Sequence, residues 1–402
     1  MMKLLSELRT RRAIKAFGLL AAAGLLAVST VLLVSHETKT KILPSQTKST
    51  GSAQFGSLYA FQEVSKGDEE TNDATTYIMN GSKPIGKQQG YDPTFSPNGR
   101  YVLSSEAAEL HIYDTRYSHQ YLRSLIYQPP LGCYDQSLTN SFVYVADPTL
   151  IRYSLPGFSD PVHLKARLPA GPICPMATLG NSALVVVGTS HGWELYEVSP
   201  SGASRHLGPN PLWTTQEVDA LDRFQIIATP RASNGDPEIA YSVFGDTGNE
   251  VYIVDVRTNR TFEISSARLD VPLHGAGKAN DLYLQDMWWA TDGQLYSIMA
   301  SNYNNSPVIQ QQTWQLGNGE WVPWNSAPVV DVRYLETGYI IEQTPIADFL
   351  QRPWGNLYIR YRAKITRVAT WTFGLSLPSE ESIAPPFNNQ KPPVIKCGSD
   401  CA

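Results

Sequence analysis

The chain has 402 residues and a mass of 44.5 kDa, a length that fits two or three ordinary domains or one large repetitive one. Apolar residues are 42% and charged residues 17%, which excludes a mostly disordered chain, and four Cys are too few for a disulfide-built scaffold. Formal net charge is −5, but Lys3, Arg9, Arg11, Arg12 and Lys15 crowd the start against Glu7 alone, leaving 27 of the 32 basic and 36 of the 37 acidic groups to the rest, a balance that opposes nucleic-acid binding.

Residues 1–15 form a basic segment, expected on the cytoplasmic side. Residues 16–35 read AFGLLAAAGLLAVSTVLLVS, without a charge. As a helix they span roughly 30 Å, the hydrocarbon thickness of a bilayer. The preceding cations place the N-terminus in the cytoplasm and the rest of the chain on the far side. The expectation is an uncleaved transmembrane signal anchor. The alternative is a cleaved signal peptide, but the run ends without a small-x-small site. Both readings export the remainder. No second run of membrane length follows, which excludes a multi-span transporter. Residues 36–52, rich in Lys, Thr and Ser, read as a flexible stalk.

From residue 53 to 375 short strand-like runs alternate with turn residues. Tyr101-Val102-Leu103, Phe142 to Val145, Ala183 to Val187 and Val251 to Val254 are β-branched or aromatic. Turn residues precede them at a regular interval. Asn98, Asn140, Asn181 and Asp222 are spaced by one period, with Asp222 read as the turn before Phe224 to Ile227. Asp292 and Thr337 supply two later turns. The long gap between Asp222 and Asp292 is read as insertions around Pro230 to Asn249 and Ala267 to Asn280. A period of about 40–45 residues with about four strands per unit is that of a β-propeller blade. One such sheet cannot cover both its faces, so its neighbours must. Gly56 to Lys87 shows only two strands, and Ala363 to Trp371 is expected to complete that unit and close the ring. The expected fold is all-β, a propeller of seven blades with six as the alternative, preceded by one transmembrane helix. A β-sandwich with accidental spacing is the competing architecture.

Tyr91 to Leu103, YDPTFSPNGRYVL, resembles the repeat of TolB-type, WD40-like propellers. Thr76 to Ser82 is similar to an adjoining strand of the same repeats, and Glu250 to Val256 is a weaker match. The resemblance covers three segments. It implies a propeller and a bacterial envelope location, and says almost nothing about activity.

Cys133 and Cys174 each lie seven residues before a repeat Asn, so they occupy matching places in adjacent units. In an oxidising compartment they are a candidate interblade disulfide, with two buried thiols as the alternative. Cys397 and Cys401 are a candidate local disulfide in the tail, residues 376–402. That tail carries Pro378, Pro385-Pro386 and Pro392-Pro393 and is expected to run extended. The alternative is a tail packed along the domain.

Gly188 to Gly192 matches G-x-S-x-G, but an alternating strand follows where a catalytic elbow needs a helix. A blade hairpin explains it, and no catalytic residue is assigned. The seven His show no metal-ligand spacing. The acidic stretch Gly67 to Asp73 lacks the full ligand pattern of a calcium loop. No metal or cofactor is expected. Five of the nine Trp, namely Trp288, Trp289, Trp314, Trp321 and Trp324, fall between positions 288 and 324. They are candidate binding aromatics for a sugar or peptide, with core packing as the default.

The expected function is a non-catalytic, membrane-tethered propeller that binds an envelope protein or glycan. The alternatives are an enzyme working in the central channel with residues from several blades, such as a hydrolase, lyase or lactonase-like catalyst, and a carbohydrate-binding module.

Overall fold

The computed structural model describes residues 57–63, 75–106, 109–116, 121–126, 136–212, 224–228, 237–245, 248–264, 283–290, 295–303, 306–315, 320–325, 331–335, 337–345, 355–378 and 382–383. The apolar run 16–35, the stalk, the acidic stretch 67–73 and the last residues of the tail lie outside them. The chain divides into two compact units, Met1–Lys39 and Thr40–Ala402. All described residues belong to the second, and their regular structure is all β.

The chain enters at β1 (Leu58–Glu63), β2 (Thr75–Asn80) and β3 (Lys83–Gln89). Four strands follow as a meander, β4 (Tyr91–Phe95), β5 (Tyr101–Glu106), β6 (Glu109–Asp114) and β7 (Tyr121–Ile126). The next meander is β8 (Ser137–Leu138), β9 (Phe142–Asp147), β10 (Thr149–Ser154) and β11 (Ser159–His163). Then come β12 (Ile173–Leu179), β13 (Ser182–Thr189), β14 (Gly192–Val198) and β15 (Ser204–Leu207). The fifth group is β16 (Phe224–Ala228), β17 (Glu238–Gly245), β18 (Gly248–Asp255) and β19 (Arg260–Ile264). The sixth is β20 (Tyr283–Trp289), β21 (Leu295–Tyr303), β22 (Ser306–Gln315) and β23 (Glu320–Asn325). Last are β24 (Asp331–Leu335), β25 (Tyr339–Pro345), β26 (Gly355–Tyr361), β27 (Lys364–Ser376) and the short β28 (Ser382–Ile383). Each group from β4 to β23 is an antiparallel sheet of four strands in sequence order.

The remaining sheet has eight strands, in the order β28-β24-β25-β26-β27-β1-β2-β3. Its 13-residue β27 serves two partners. Its N-terminal part, from Lys364 to Ala369, pairs with β26, Phe373 and Ser376 pair with β1, and Thr372 pairs with Gly355 of β26 and Glu63 of β1. The two halves of the sheet also face one another. Leu335, Ile341, Leu357 and Ile359 from one half share an apolar core with Tyr59, Phe61 and Met79 from the other. A flat sheet cannot do this, so the chain turns at β27 and its two halves pack as neighbouring layers.

Successive sheets stack with their first strands side by side. β8 touches β12, β12 touches β16 and β16 touches β20. Both faces of the inner strands are therefore covered. Val102 packs with Leu58, Ala60 and Ile78 of the preceding layer, and Leu103 packs with Val143 and Val145 of the following one. Alternate residues of one strand thus serve two different cores, as the two-residue period of a strand requires. This is a β-propeller arrangement, and the β-sandwich alternative fails because inner strands such as β5 bury both faces, one against each neighbouring sheet.

Asn98, Asn140 and Asn181 lie between the first and second strands of their sheets, as do positions 292 and 337. Asp222 does not. Phe224–Ala228 is itself a first strand, paired with β17 alone, so the equivalent turn falls between β16 and β17. Most of the supposed insertion around Pro230 to Asn249 is the β17–β18 hairpin, which is integral to its sheet. The misreading has a physical cause. A buried first strand and a buried second strand carry the same apolar run, and only turn residues tell them apart. The tail is also partly ordered, because Ile383 and Ser382 pair with Tyr334 and Leu335 of β24.

Candidate functional site

The turn Ser96 to Arg100 shows why its residues recur. Ser96 Oγ donates to Asn98 Oδ1 at 3.0 Å, and that same oxygen accepts the Arg100 N–H at 3.1 Å. Gly99 takes a positive φ of 73°, which an L side chain resists. Arg100 and Arg116 both reach the buried Asp114, at 3.4 and 2.7 Å. The resemblance segment is therefore a self-bonded corner, and its polar residues build structure.

Ser190 and His191 form the two-residue loop between β13 and β14, with Thr189 paired to Gly192. Thr189 Oγ1 accepts the His191 N–H at 3.2 Å and donates to the Gly192 carbonyl at 3.0 Å. Both turn residues are exposed. A strand follows, so the geometry is that of a hairpin.

The aromatic cluster divides. Trp289, Leu295, Trp314 and Trp321 occupy one cross-strand row through β20 to β23. Trp289 is 3% exposed, so it serves the core. Trp288 occupies the adjoining row. Its ring stacks on Tyr296, with centroids 5.8 Å apart, and the Arg333 guanidinium of β24 lies 3.5 Å from its centroid. Two successive sheets are joined there by a cation–π contact. The side chains of Trp314, Trp321 and Trp324 lie outside the described residues, as do Cys133, Cys397 and Cys401. Cys174 is buried in β12 and disulfide-bonded.

A buried charged group, absent from the sequence reading, sits on β24 to β26. Tyr334 and Arg360 share a row through Ile340, and Glu342 lies in the next row on the same face. The Arg360 guanidinium donates to Glu342 Oε1 at 2.5 Å, with both side chains about 5% exposed. Burial raises the Glu342 carboxyl above its ordinary value, and Arg360 opposes that rise without cancelling it. Tyr334 is pushed up to about 12, first by burial and then by Glu342. The three residues are separated by 8 and 18 positions, so no local motif announces them. Only the register of three strands does.

A second polar seam lies on the face of β1 to β3 that meets β4 to β7. Gln62, Thr76 and Gln88 form one row. Opposite them, Ser104 and His111 form a row on β5 and β6. Thr76 Oγ1 donates to the Gly90 carbonyl at 2.9 Å. The amide groups of Gln62 and Gln88 are buried and make no hydrogen bond among the described residues.

Among the described residues no three His, Cys, Asp or Glu gather as a metal-binding group, and no helix is long and apolar enough to cross a membrane.

Strand order, shared faces and stacked first strands define this protein's class as the β-propellers. No protein-family model matches the chain and no curated protein matches it in sequence. Among solved structures it is similar to TolB from Acinetobacter baumannii at 8% identity and a TM-score of 0.41, covering 80% of this chain and 66% of that one, so this chain spans just under two thirds of that protein. It is similar to oligogalacturonate lyase from Vibrio parahaemolyticus at 9% identity and a TM-score of 0.44, covering 78% and 85%. It is similar to the β-propeller domain of the Trilobed protease from Pyrococcus furiosus at 12% identity and a TM-score of 0.45, covering 79% and 95%. At such scores these likenesses carry no argument about activity, and the class rests on the topology above.

Proposed function

We propose that this chain is a seven-bladed propeller, tethered to the outer face of a bacterial cytoplasmic membrane by residues 16–35, and that it acts as a non-catalytic module binding another envelope protein. The seventh blade is β1 to β3 completed by the C-terminal half of β27. The pairing of β27 with both β26 and β1 carries the reading. It joins the two ends of the propeller into one sheet, pairs the first strand β1 on both sides, and makes a rigid scaffold whose loops are the variable parts. In an exported chain Cys133 is the natural partner of Cys174, because both stand at the same step of adjacent repeats.

Trp288 does not favour the carbohydrate reading, because Tyr296 and Arg333 already cover it. The test is purification of the full chain from cross-linked membranes. One protein co-purifying in fixed proportion, released by loop substitutions and not by a chelator, supports the binding role. Chelator-sensitive turnover of a polysaccharide or peptide substrate overturns it. Non-reducing peptide mapping that shows Cys133 and Cys174 in separate linkages overturns the disulfide pairing.

A further inference from the structure

The two rims of the propeller differ in chemistry. One rim carries the turn joining the first and second strands of each sheet, and the turn joining the third and fourth. Contacts between sheets place these turns together. Asn98 N–H donates to Asn140 Oδ1 at 2.9 Å, and Tyr144 OH donates to the Asn181 carbonyl at 2.6 Å.

On this rim two hairpins share one composition. The β18–β19 turn presents Arg257 and Arg260, followed by Phe262. The β26–β27 turn presents Tyr361, Arg362 and Lys364, followed by Ile365. All of these are exposed. Phe262, Tyr361 and Ile365, at 49%, 36% and 46%, are the exposed large apolar side chains among the described residues. They concentrate here, beside cations, and the turn between β2 and β3 adds the exposed Lys83. Among the described residues the acids at these turns are Asp114, held by Arg116 and Arg100; Asp255, which accepts the Arg257 and Thr258 N–H groups; Glu197, which accepts from the Arg205 guanidinium at 2.6 Å; Asp160; and Glu320, which opens β23. On the opposite rim Glu63 closes β1, Glu109 opens β6 and Asp147 closes β9.

The chain also enters the propeller at the basic rim. Gly81 N–H donates to the Ser57 carbonyl at 2.9 Å, and Tyr59 OH donates to the Gly81 carbonyl at 2.9 Å. A Cβ at Gly81 would lie 3.5 Å from the Tyr339 phenol, and Tyr339 stacks on Tyr361 with centroids 4.4 Å apart. The entry point and the β26–β27 hairpin are thus one continuous surface. Only residues 36–56 separate Ser57 from the apolar run, a stretch that reaches at most about 75 Å when fully extended.

We infer that this rim docks on an anionic lipid bilayer, with Arg257, Arg260, Arg362, Lys364 and Lys83 on lipid phosphates and Phe262, Tyr361 and Ile365 in the interfacial layer. Interleaved cations and apolar side chains are what such an interface takes up, whereas the chain as a whole is acidic. Which membrane it meets rests on the anchor reading above, but the surface chemistry stands apart from it.

The test reconstitutes the full chain into vesicles of phosphatidylcholine alone and of phosphatidylcholine with phosphatidylglycerol, and follows amide hydrogen exchange. The expected result is slower exchange at 257–262 and 361–365 only with the anionic lipid, reversed in 1 M salt, where the Debye length is about 3 Å. Replacing Arg257, Arg260, Arg362 and Lys364 with Glu is expected to abolish this protection while leaving the melting temperature within a few degrees. Each neutralised cation weakens the association about fivefold, from about 1 kcal/mol per basic group. Equal exchange in the two lipids, or protection that survives the four substitutions, overturns the inference. Alkaline carbonate extraction, run in parallel, tests the anchor separately. A chain that stays embedded yet shows no anionic protection sinks this inference and spares the anchor. A chain that is extracted yet is protected on anionic vesicles does the reverse.

Discussion

The backbone N–H of Asn98 donates to the side-chain oxygen of Asn140 at 2.9 Å, across 42 residues of sequence. The two residues hold the same place in successive sheets, so one copy of the repeat's turn fastens the next. Asn140→Ala is expected to cost about 1 kcal/mol, the net worth of such a bond, as a lowered urea midpoint with unchanged slope. Asn140→Asp keeps the acceptor and is expected to lie near the parent above pH 5. Equal losses in both variants would remove the bond from the account.

Gly171 meets the backbone of its own sheet. A Cβ there would lie 1.8 Å from the Gly188 carbonyl oxygen, and its φ is +154°. Gly180, at φ +59°, has nothing within 4 Å of the same position. Gly171→Ala is therefore expected to abolish soluble expression. Gly180→Ala is expected to cost only about 1–2 kcal/mol, the penalty of the left-handed conformation. Thermal melts of the two variants decide it.

The Glu342–Arg360 pair gives a pH-dependent prediction. Arg360→Met leaves a buried carboxylate without its cation and is expected to cost about 3–5 kcal/mol at neutral pH. The Glu342 carboxyl already titrates above its ordinary value because of burial, and without Arg360 it rises further. A carboxyl raised in the folded state contributes stability below its unfolded value and loses it as pH rises through the folded one. The variant's deficit should therefore be small below pH 4.5 and grow toward neutrality. Combining Arg360→Met with Glu342→Leu removes both charges and should recover most of the loss. Denaturant melts from pH 4 to 8 measure both.

Several tyrosines are held protonated by burial. Tyr334 is pushed up to about 12, and so is Tyr196, first by burial and then by its 2.7 Å hydrogen bond to Glu194. Tyr59 and Tyr144 are raised by burial as well. The unfolded chain ionises near 10. Stability is therefore complete below about 10 and falls as pH climbs through about 12. Tyrosinate absorbance should rise together with loss of folded signal. Glu194→Gln should bring Tyr196 back toward its ordinary value, and an unmoved titration would exclude Glu194 as a cause.

Gln62 and Gln88 bury amides without partners, a cost of about 1–3 kcal/mol each. Gln62→Met and Gln88→Met keep the length and drop the polar group. Each is expected to raise stability within that range, read from chemical denaturation. A loss of stability in both would mean that the seam's polarity is satisfied in solution.

The repeat was legible because its turns are local. Ser96 to Arg100 bond to one another and need Gly at one position, so the same letters return where the same corner is built. Between β16 and β17 the sequence carries Ser233-Asn234-Gly235, but they fall off the regular spacing and inside the stretch read as an insertion, so the reading slipped by one strand. The hairpin at Ser190 was legible for the same reason. The Arg360, Glu342 and Tyr334 group was invisible, because its members are neighbours only through cross-strand pairing. Trp288 and Trp289 were separable in principle by strand alternation, and the tertiary structure alone assigned one to Arg333 and the other to the core.

The amino-acid order by itself determined that this protein is built of strands in units of about forty residues, since alternation and turn chemistry act over a few neighbouring positions. Tertiary structure alone decided which strand closes the series, which charges are buried together and which turns share a rim. Those outcomes depend on pairings between distant residues, and a single strand carries no record of the partner it will meet.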